Sequence, residues 1–426
     1  MKHKFAKKLM WVPALLLAAA SALSGCSQGG SAGESGQKVI NIYQGKVEIS
    51  DQLQEMKKVY EASHPGVILN IQSVGGGTDY AASLKSRFSA GAQPDIFTIG
   101  GFQERDLWLE YLEDLSDQPW TQHMDQVAKD PMSADGKLYG FPLNYEGYGF
   151  LYNKDIFKKA GVTEIPKTLS ELEEAAKKIQ AAGYTPFVNA YAEWWVLGNH
   201  NVNVPFARQD DPDAFMKSLN DGTADMASNK IFDGWLDLLD LTLKYGNANP
   251  LTTDYNTQMS TFANGKAAMT QQGNWVQPTL DGINPDLNVG MMPMPISDDA
   301  EANDKLFVGV PTYWVVSKNS PVKEEAKELL DWMAGTPEGQ EFLTKKFQFI
   351  PAFNNIKAAS EDIGPLGSDL TKYIGEGKVL NWYFQQLPIG TPQDYANLMQ
   401  SYIAGRDTRE QLLEHMQASY DNLKVR

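Results

Sequence analysis

The order of segments predicts an α/β fold built as two lobes. Strand-like and helix-like stretches alternate through residues 39–99, and the alternation resumes after residue 150. The roughly 390 residues beyond the first 37 also exceed what one hydrophobic core usually serves, since single cores stop growing near about 250–300 residues.

The chain opens with Lys2, Lys4, Lys7 and Lys8, followed by an apolar run from Leu9 to Ala20 that continues to Leu23. This run is shorter than the about 20 apolar residues of a membrane span and reads as a secretory signal. It ends in Leu23-Ser24-Gly25-Cys26, which resembles the lipobox of bacterial lipoproteins, where the cysteine is acylated and becomes the first mature residue. Cys26 is the one cysteine of the chain, and its small polar flanks offer it nothing to bury against. Multiple acyl chains on Cys26 would satisfy the need for more than one chain in stable anchoring. Seven of the eleven residues 27–37 are Gly or Ser, which predicts a flexible tether spanning on the order of 18 Å.

The body begins with the apolar strand Val39-Ile40-Asn41-Ile42-Tyr43. Leu53, Met56 and Tyr60 then fall on one helical face, with Ser50 as a cap and His64-Pro65-Gly66 as the stop. Strands follow over 67–71 and 95–99, with a helix over 80–91 between them. Asp95 reads as a structural residue fixing its strand's exit. A helix over 168–183 carries a capping box in Thr168 and Glu171 and ends at Gly183. Next come a strand over 185–189, a helix over 230–246 and a helix-to-strand piece over 259–275. Residues 308–318 predict a strand pair or one bent strand. The following helix is expected to start at Ser320-Pro321, as cap and N1 proline, and to end at Gly335. The remainder is mainly helical, and no internal repeat is present.

The formal net charge is −16 and becomes about −20 once four lysines leave with residues 1–25. That argues against nucleic acid and against recruitment by anionic lipid headgroups. With a single cysteine there is no intrachain disulfide. Neither a phosphate-binding G-x-x-x-x-G-K-[ST] nor a G-x-G-x-x-G motif occurs, and the five histidines, at 3, 64, 123, 200 and 415, show no metal spacing. No cofactor, metal or catalytic residue is expected.

Several stretches together resemble the family 1 extracellular solute-binding proteins, the carbohydrate-binding lipoproteins of bacterial ABC importers. They are "PGV" at 65–67, "PDIF" at 94–97 before Gly100-Gly101, "YGFLYNKDIFKKAG" at 148–161, "FANGKAAMTQQGNW" at 262–275, "VGVPTYWVVSK" at 308–318 and "ELLDWMAGTPEGQEFL" at 328–343. The resemblance implies a two-lobed periplasmic-binding-protein-like fold with a hinge and a ligand cleft between lobes. It places crossings near 143–150, 305–310 and 350. The expected division is a signal peptide over 1–25, the lipidated cysteine and tether over 26–37, a first lobe from 38–145 with 309–350, and a second from 146–308 with 351–426.

A pyranose offers apolar C–H faces and a rim of hydroxyls, so its site needs aromatic plates beside amides, carboxylates or cations. Asn274-Trp275 follow a short strand, and in the resembled family the Trp of G-x-W lines the cleft; the other reading is an indole packed on a helix start. Trp194 and Trp195 lack periodic apolar partners. Tyr145 and Tyr148 flank the first crossing, and Tyr313 and Trp314 the return crossing, as ligand contacts or hinge packing. Trp382 and Tyr383 are cleft or core. In the first lobe, Gln44, Lys46 and Glu48 after the first strand, and Phe102 after Gly100-Gly101, lie at C-terminal strand ends, where ligands bind in open α/β sheets.

The resulting expectation is a monomeric, lipid-anchored protein on the outer face of a cell membrane, of Gram-positive type. It captures an α-linked gluco- or galacto-oligosaccharide by hinge closure and delivers it to an ABC permease. The alternative is a lipid-anchored glycoside hydrolase, which requires two carboxylates about 5–9.5 Å apart. An adhesin or scaffold is a third reading, without repeats to support it.

Overall fold

The computed structural model describes residues 36–75 and 79–424; the expected signal peptide, Cys26 and most of the tether lie outside them. The strands in chain order are β1 (Lys38–Gln44), β2 (Val67–Ser73), β3 (Ile96–Ile99), β4 (Ser133–Ala134), β5 (Lys137–Leu138), β6 (Phe141–Pro142), β7 (Glu146–Asn153), β8 (Thr185–Phe187), β9 (Ala267–Gly273), β10 (Val289–Met292), β11 (Leu306–Gly309), β12 (Tyr313–Val316) and β13 (Val379–Asn381).

Two main sheets result. The first runs β2-β1-β3-β12-β6, with β1 to β3 parallel and β12 antiparallel to β3. Its connections are α1 (Ser50–Ser63) and α2 (Tyr80–Ser89), and Leu53, Met56 and Tyr60 on α1 are buried on one face as their spacing predicts. The second sheet runs β13-β11-β7-β9-β8, with β10 also on β7. The residues expected at 308–318 are thus two strands in different sheets, joined by Val310-Pro311-Thr312.

All eight residues of β7 are buried, because the strand is paired on both edges and covered on both faces by separate apolar clusters. Such a strand carries no alternation for a sequence reader to find. Gly149 is needed there, since a Cβ would lie 2.3 Å from the Met292 carbonyl oxygen.

Capping follows local chemistry in most places. Thr168 and Glu171 form the expected reciprocal box at the start of the helix Leu169–Ala181. Ser320 differs from its expected role. The helix begins at Lys323, and Ser320 instead donates to Asp95 Oδ1 at 2.6 Å while its oxygen accepts the Val322 amide. Asp95 also accepts the Asn41 amide and side chain at 2.8 and 2.9 Å, so one carboxylate ties together β1, the entry to β3 and the exit from β12.

Three segments run between the sheets. The Tyr145 amide donates to the Ile350 carbonyl at 2.8 Å, and the Leu143 amide to that of Thr312, which sets the segments side by side. Ile350 packs in the apolar cluster on the second sheet, while Ala352, Phe353 and Ile356 lie in the first lobe's core. The helix Ser360–Gly375 then packs on the second sheet through Ile363, Leu366 and Leu370.

Candidate functional site

The second lobe builds an aromatic wall around His200. The imidazole stacks on Tyr148 with centroids 4.4 Å apart and planes at 20°, meets Trp195 edge-on at 5.2 Å, and lies 5.0 Å from Trp275. Trp382 and Phe384 stand 6.3 Å away. A π-helical turn, Val196–Asn201, carries His200 to this point, and such turns gather at functional sites. Burial depresses the His200 pKa to about 3, so the ring is neutral. The Gln271 side-chain amide lies 3.2 Å from Nδ1.

Trp195, Tyr255, Trp275 and Phe384 are the half-buried members of this cluster, with aromatic surface still open. Their orientation is fixed by hydrogen bonds behind them. Glu193 accepts from Trp195 Nε1 at 3.2 Å and from the Tyr255 amide at 3.0 Å, while Trp275 Nε1 donates to Gln272 Oε1 at 3.1 Å. The Trp275 ring lies directly over Gly273, where a Cβ would fall 2.1 Å from the indole.

The first lobe contributes a charged loop after β1. Lys46 Nζ bonds Glu146, at the head of β7, and lies 3.1 Å from Glu48. All three side chains are nearly buried. Burial opposes the ammonium charge, but the two carboxylates outweigh it and raise the Lys46 pKa. Burial, offset in part by Lys46, raises that of Glu146. This ion pair joins the lobes, and other contacts run beside it. The turn Val47–Ile49 packs on the helix Gln277–Ile283, Gln348 Nε2 donates to Asp281 Oδ2 at 3.1 Å, and Gln385 Nε2 donates to the Val310 carbonyl at 3.0 Å. The lobes are therefore closed on one another. Among the described residues, Asn144 Oδ1, Gln271 Oε1 and Gln348 Oε1 are buried along these segments without a hydrogen-bond partner.

The residues expected from sequence separate into two groups. Trp195 and Trp275 join the wall, Lys46 and Glu48 face it from the other lobe, and Phe102 and Tyr145 are half-buried near the junction. Tyr145 donates its hydroxyl to Asp125 at 3.2 Å. The others are placed differently. Tyr313 and Trp314 are fully buried in the first core, because β12 lies between β3 and β6; Tyr313 donates to the Ala128 carbonyl. Tyr148 is fully buried between His200 and Phe307 and supports the wall from behind. Trp382 is buried against Gly309, and Tyr383 donates its hydroxyl to Asp213, both as core residues. The side chain of Gln44 is spent on its own loop, bonding the Lys46 backbone and Ser73. Asn274 is buried and accepts the Gly147 amide at 2.9 Å. Trp194 is 37 % exposed and lies outside the His200 cluster.

His200, Tyr255, Phe384, Glu146 and Gln271 were not legible as site residues. The available signal was polar residues inside apolar strands: Thr270-Gln271-Gln272 closing β9, and Glu146 opening β7.

Comparison with known proteins matches the same architecture. The model for the family "Bacterial extracellular solute-binding protein" matches residues 46–340. The melibiose/raffinose/stachyose-binding protein MelE of Bacillus subtilis is 25% identical over 373 residues, covering 84% of this chain and 83% of its own. The solved structure of RafE in complex with raffinose superposes with a TM-score of 0.78 at 23% identity, covering 91% of this chain and 100% of that one. A sugar transporter from Bacillus licheniformis in complex with stachyose superposes at 0.75, with 23% identity and the same coverage. The sheet order and the family match agree with the motifs read from the sequence: the chain belongs to the family 1 bacterial extracellular solute-binding proteins.

Proposed function

We propose that this protein captures an uncharged, α-linked gluco- or galacto-oligosaccharide between its lobes and delivers it to an ABC permease. The observation that carries the reading is the wall of Trp195, Tyr255, Trp275 and Phe384, held around neutral His200 and faced by the loop of the other lobe. Aromatic plates take the C–H faces of sugar rings, and the unpaired amide oxygens of Gln271 and Gln348 take hydroxyls. Lys46 already answers two carboxylates, which favours an uncharged ligand over an acidic one. The relatives named for raffinose, stachyose and melibiose support the α-linked class. In this reading Lys46, Glu48, Phe102, Tyr145, Trp195 and Trp275 contact the ligand, with Glu146, His200, Gln271, Tyr255 and Phe384 added. The chain works as a lipid-anchored monomer, held through Cys26 to the outer face of a Gram-positive membrane.

Calorimetric titration of residues 38–426 with melibiose, raffinose, stachyose and isomaltose tests the proposal, with each sugar recovered afterwards. Saturable one-to-one binding of intact sugar is expected. Cleaved sugar would replace this reading with the hydrolase, and silence across the panel would remove the ligand class. A Cys26→Ala chain expressed in a Gram-positive host should leave the membrane fraction for the medium; retention there would remove the anchor.

A further inference from the structure

The helix Tyr255–Ala263 buries Gln258, Met259, Phe262 and Ala263 on one face, and Gln258 is the polar residue among them. An apolar side chain would fill that place, whereas a buried amide is costly unless both of its ends are bonded. The strand β9 repeats the oddity with Thr270 and Gln272, both fully buried and both bonded to Gln258.

These side chains form one directed chain of hydrogen bonds. Trp275 Nε1 donates to Gln272 Oε1 at 3.1 Å, Gln272 Nε2 to Gln258 Oε1 at 2.8 Å, and Gln258 Nε2 to Thr270 Oγ1 at 2.7 Å. The Thr270 hydroxyl donates to the Val188 carbonyl at 2.9 Å. An indole N–H only donates and a carbonyl only accepts, so the two ends fix the direction and give each amide one orientation.

Gln258, Thr270 and Gln272 are sealed in the interior; Trp275 alone of the chain is half-buried, in the wall around His200. A buried polar network adds little stability over apolar packing, but when fully bonded it holds one arrangement. Turning the indole would break the first link and leave Gln272 Oε1 without its donor. The same helix opens with Tyr255, another ring of the wall, whose amide is held by Glu193; Glu193 also takes the Trp195 N–H. Both indole N–H groups are thus occupied from behind.

We propose that Gln258 and Gln272 are positioning residues of the ligand site, holding the Trp275 plate at the angle a pyranose face requires without touching the sugar themselves. The inference rests on the sugar-binding reading above and deepens it: plates whose N–H groups are already spent read the ring faces of a sugar rather than its hydroxyls.

A double-mutant cycle is the test. Gln258→Met keeps the length of the side chain and removes the relay; Trp275→Phe keeps a plate and removes the N–H that the relay holds. Titration with raffinose should show Gln258→Met weakening binding about fivefold in the parent chain and less than about twofold in Trp275→Phe. Parental affinity in Gln258→Met, or the same loss in both backgrounds, would overturn the proposal, because a general loosening of the lobe does not depend on the Trp275 N–H. If Gln258→Met does not fold, Thr270→Val, which removes one hydroxyl, carries the same cycle. Its loss of about threefold should vanish in Trp275→Phe, and persistence there would overturn the relay. A parent chain that binds none of melibiose, raffinose and stachyose defeats the sugar reading first and this inference with it, an outcome distinct from the others.

Discussion

His200 gives the protein a pH dependence that one substitution should remove. Its folded pKa of about 3 lies below the unfolded value of 6.5 because burial disfavours the imidazolium. The unfolded chain therefore binds a proton that the folded chain refuses. Stability from this group is complete above about pH 6.5 and is lost as pH falls toward 3. At pH 5 the loss is about 2 kcal/mol, at about 1.36 kcal/mol per pH unit below the unfolded pKa. His200→Phe keeps the stack on Tyr148 and cannot protonate. It strands the Gln271 amide, a cost that is the same at both pH values and cancels in the comparison. Urea unfolding of both proteins at pH 7.5 and pH 5 is the assay. The wild type should lose about 2 kcal/mol more than the variant between the two, with carboxylate contributions common to both. Equal losses would refute the reasoning, since the imidazole would then have to accept its proton inside the wall.

Three further perturbations test the site and its framework. Trp275→Ala should weaken raffinose binding at least tenfold, about 1.4 kcal/mol, with little change in melting; unaltered affinity would make Trp275 purely structural. Lys46→Met leaves Glu48 and Glu146 facing each other without a cation, so the lobes should separate and small-angle scattering should report a larger radius of gyration, at a cost to closure of about 3 kcal/mol; an unchanged radius would mean that the pair does not govern closure. Trp314→Ala removes a fully buried side chain and should cost about 3–5 kcal/mol of stability while leaving raffinose affinity intact in the folded protein; weakened binding with normal stability would return Trp314 to the site.

Local signals carried much of the fold. The spacing of Leu53, Met56 and Tyr60, the Thr168–Glu171 box and the alternation through the first three strands each correspond to an observed element. The site was less legible because an aromatic residue beside a crossing reads the same whether it faces ligand or core. Tyr313 and Trp314 sit in a strand that acquires neighbours on both edges only when β3 and β6, distant in sequence, close around it. Tyr148 is covered by Phe307 and by His200, from segments far along the chain. His200 itself, a lone histidine between Asn199 and Asn201, becomes informative only when four segments bring aromatic rings to it.

The exchange of strands between sheets also bears on when the protein can fold. β12 occupies the place between β3 and β6, yet its residues follow nearly the whole second sheet in the chain. A polypeptide delivered N-terminus first, from a ribosome or through a translocase, cannot complete its first lobe until Val316 has emerged, nor its second until β13 is available. Until then β3 and β6 lack the strand that joins them. The same interleaving that joins the lobes by three segments thus keeps the emerging chain unfinished, and threadable, until most of it has passed.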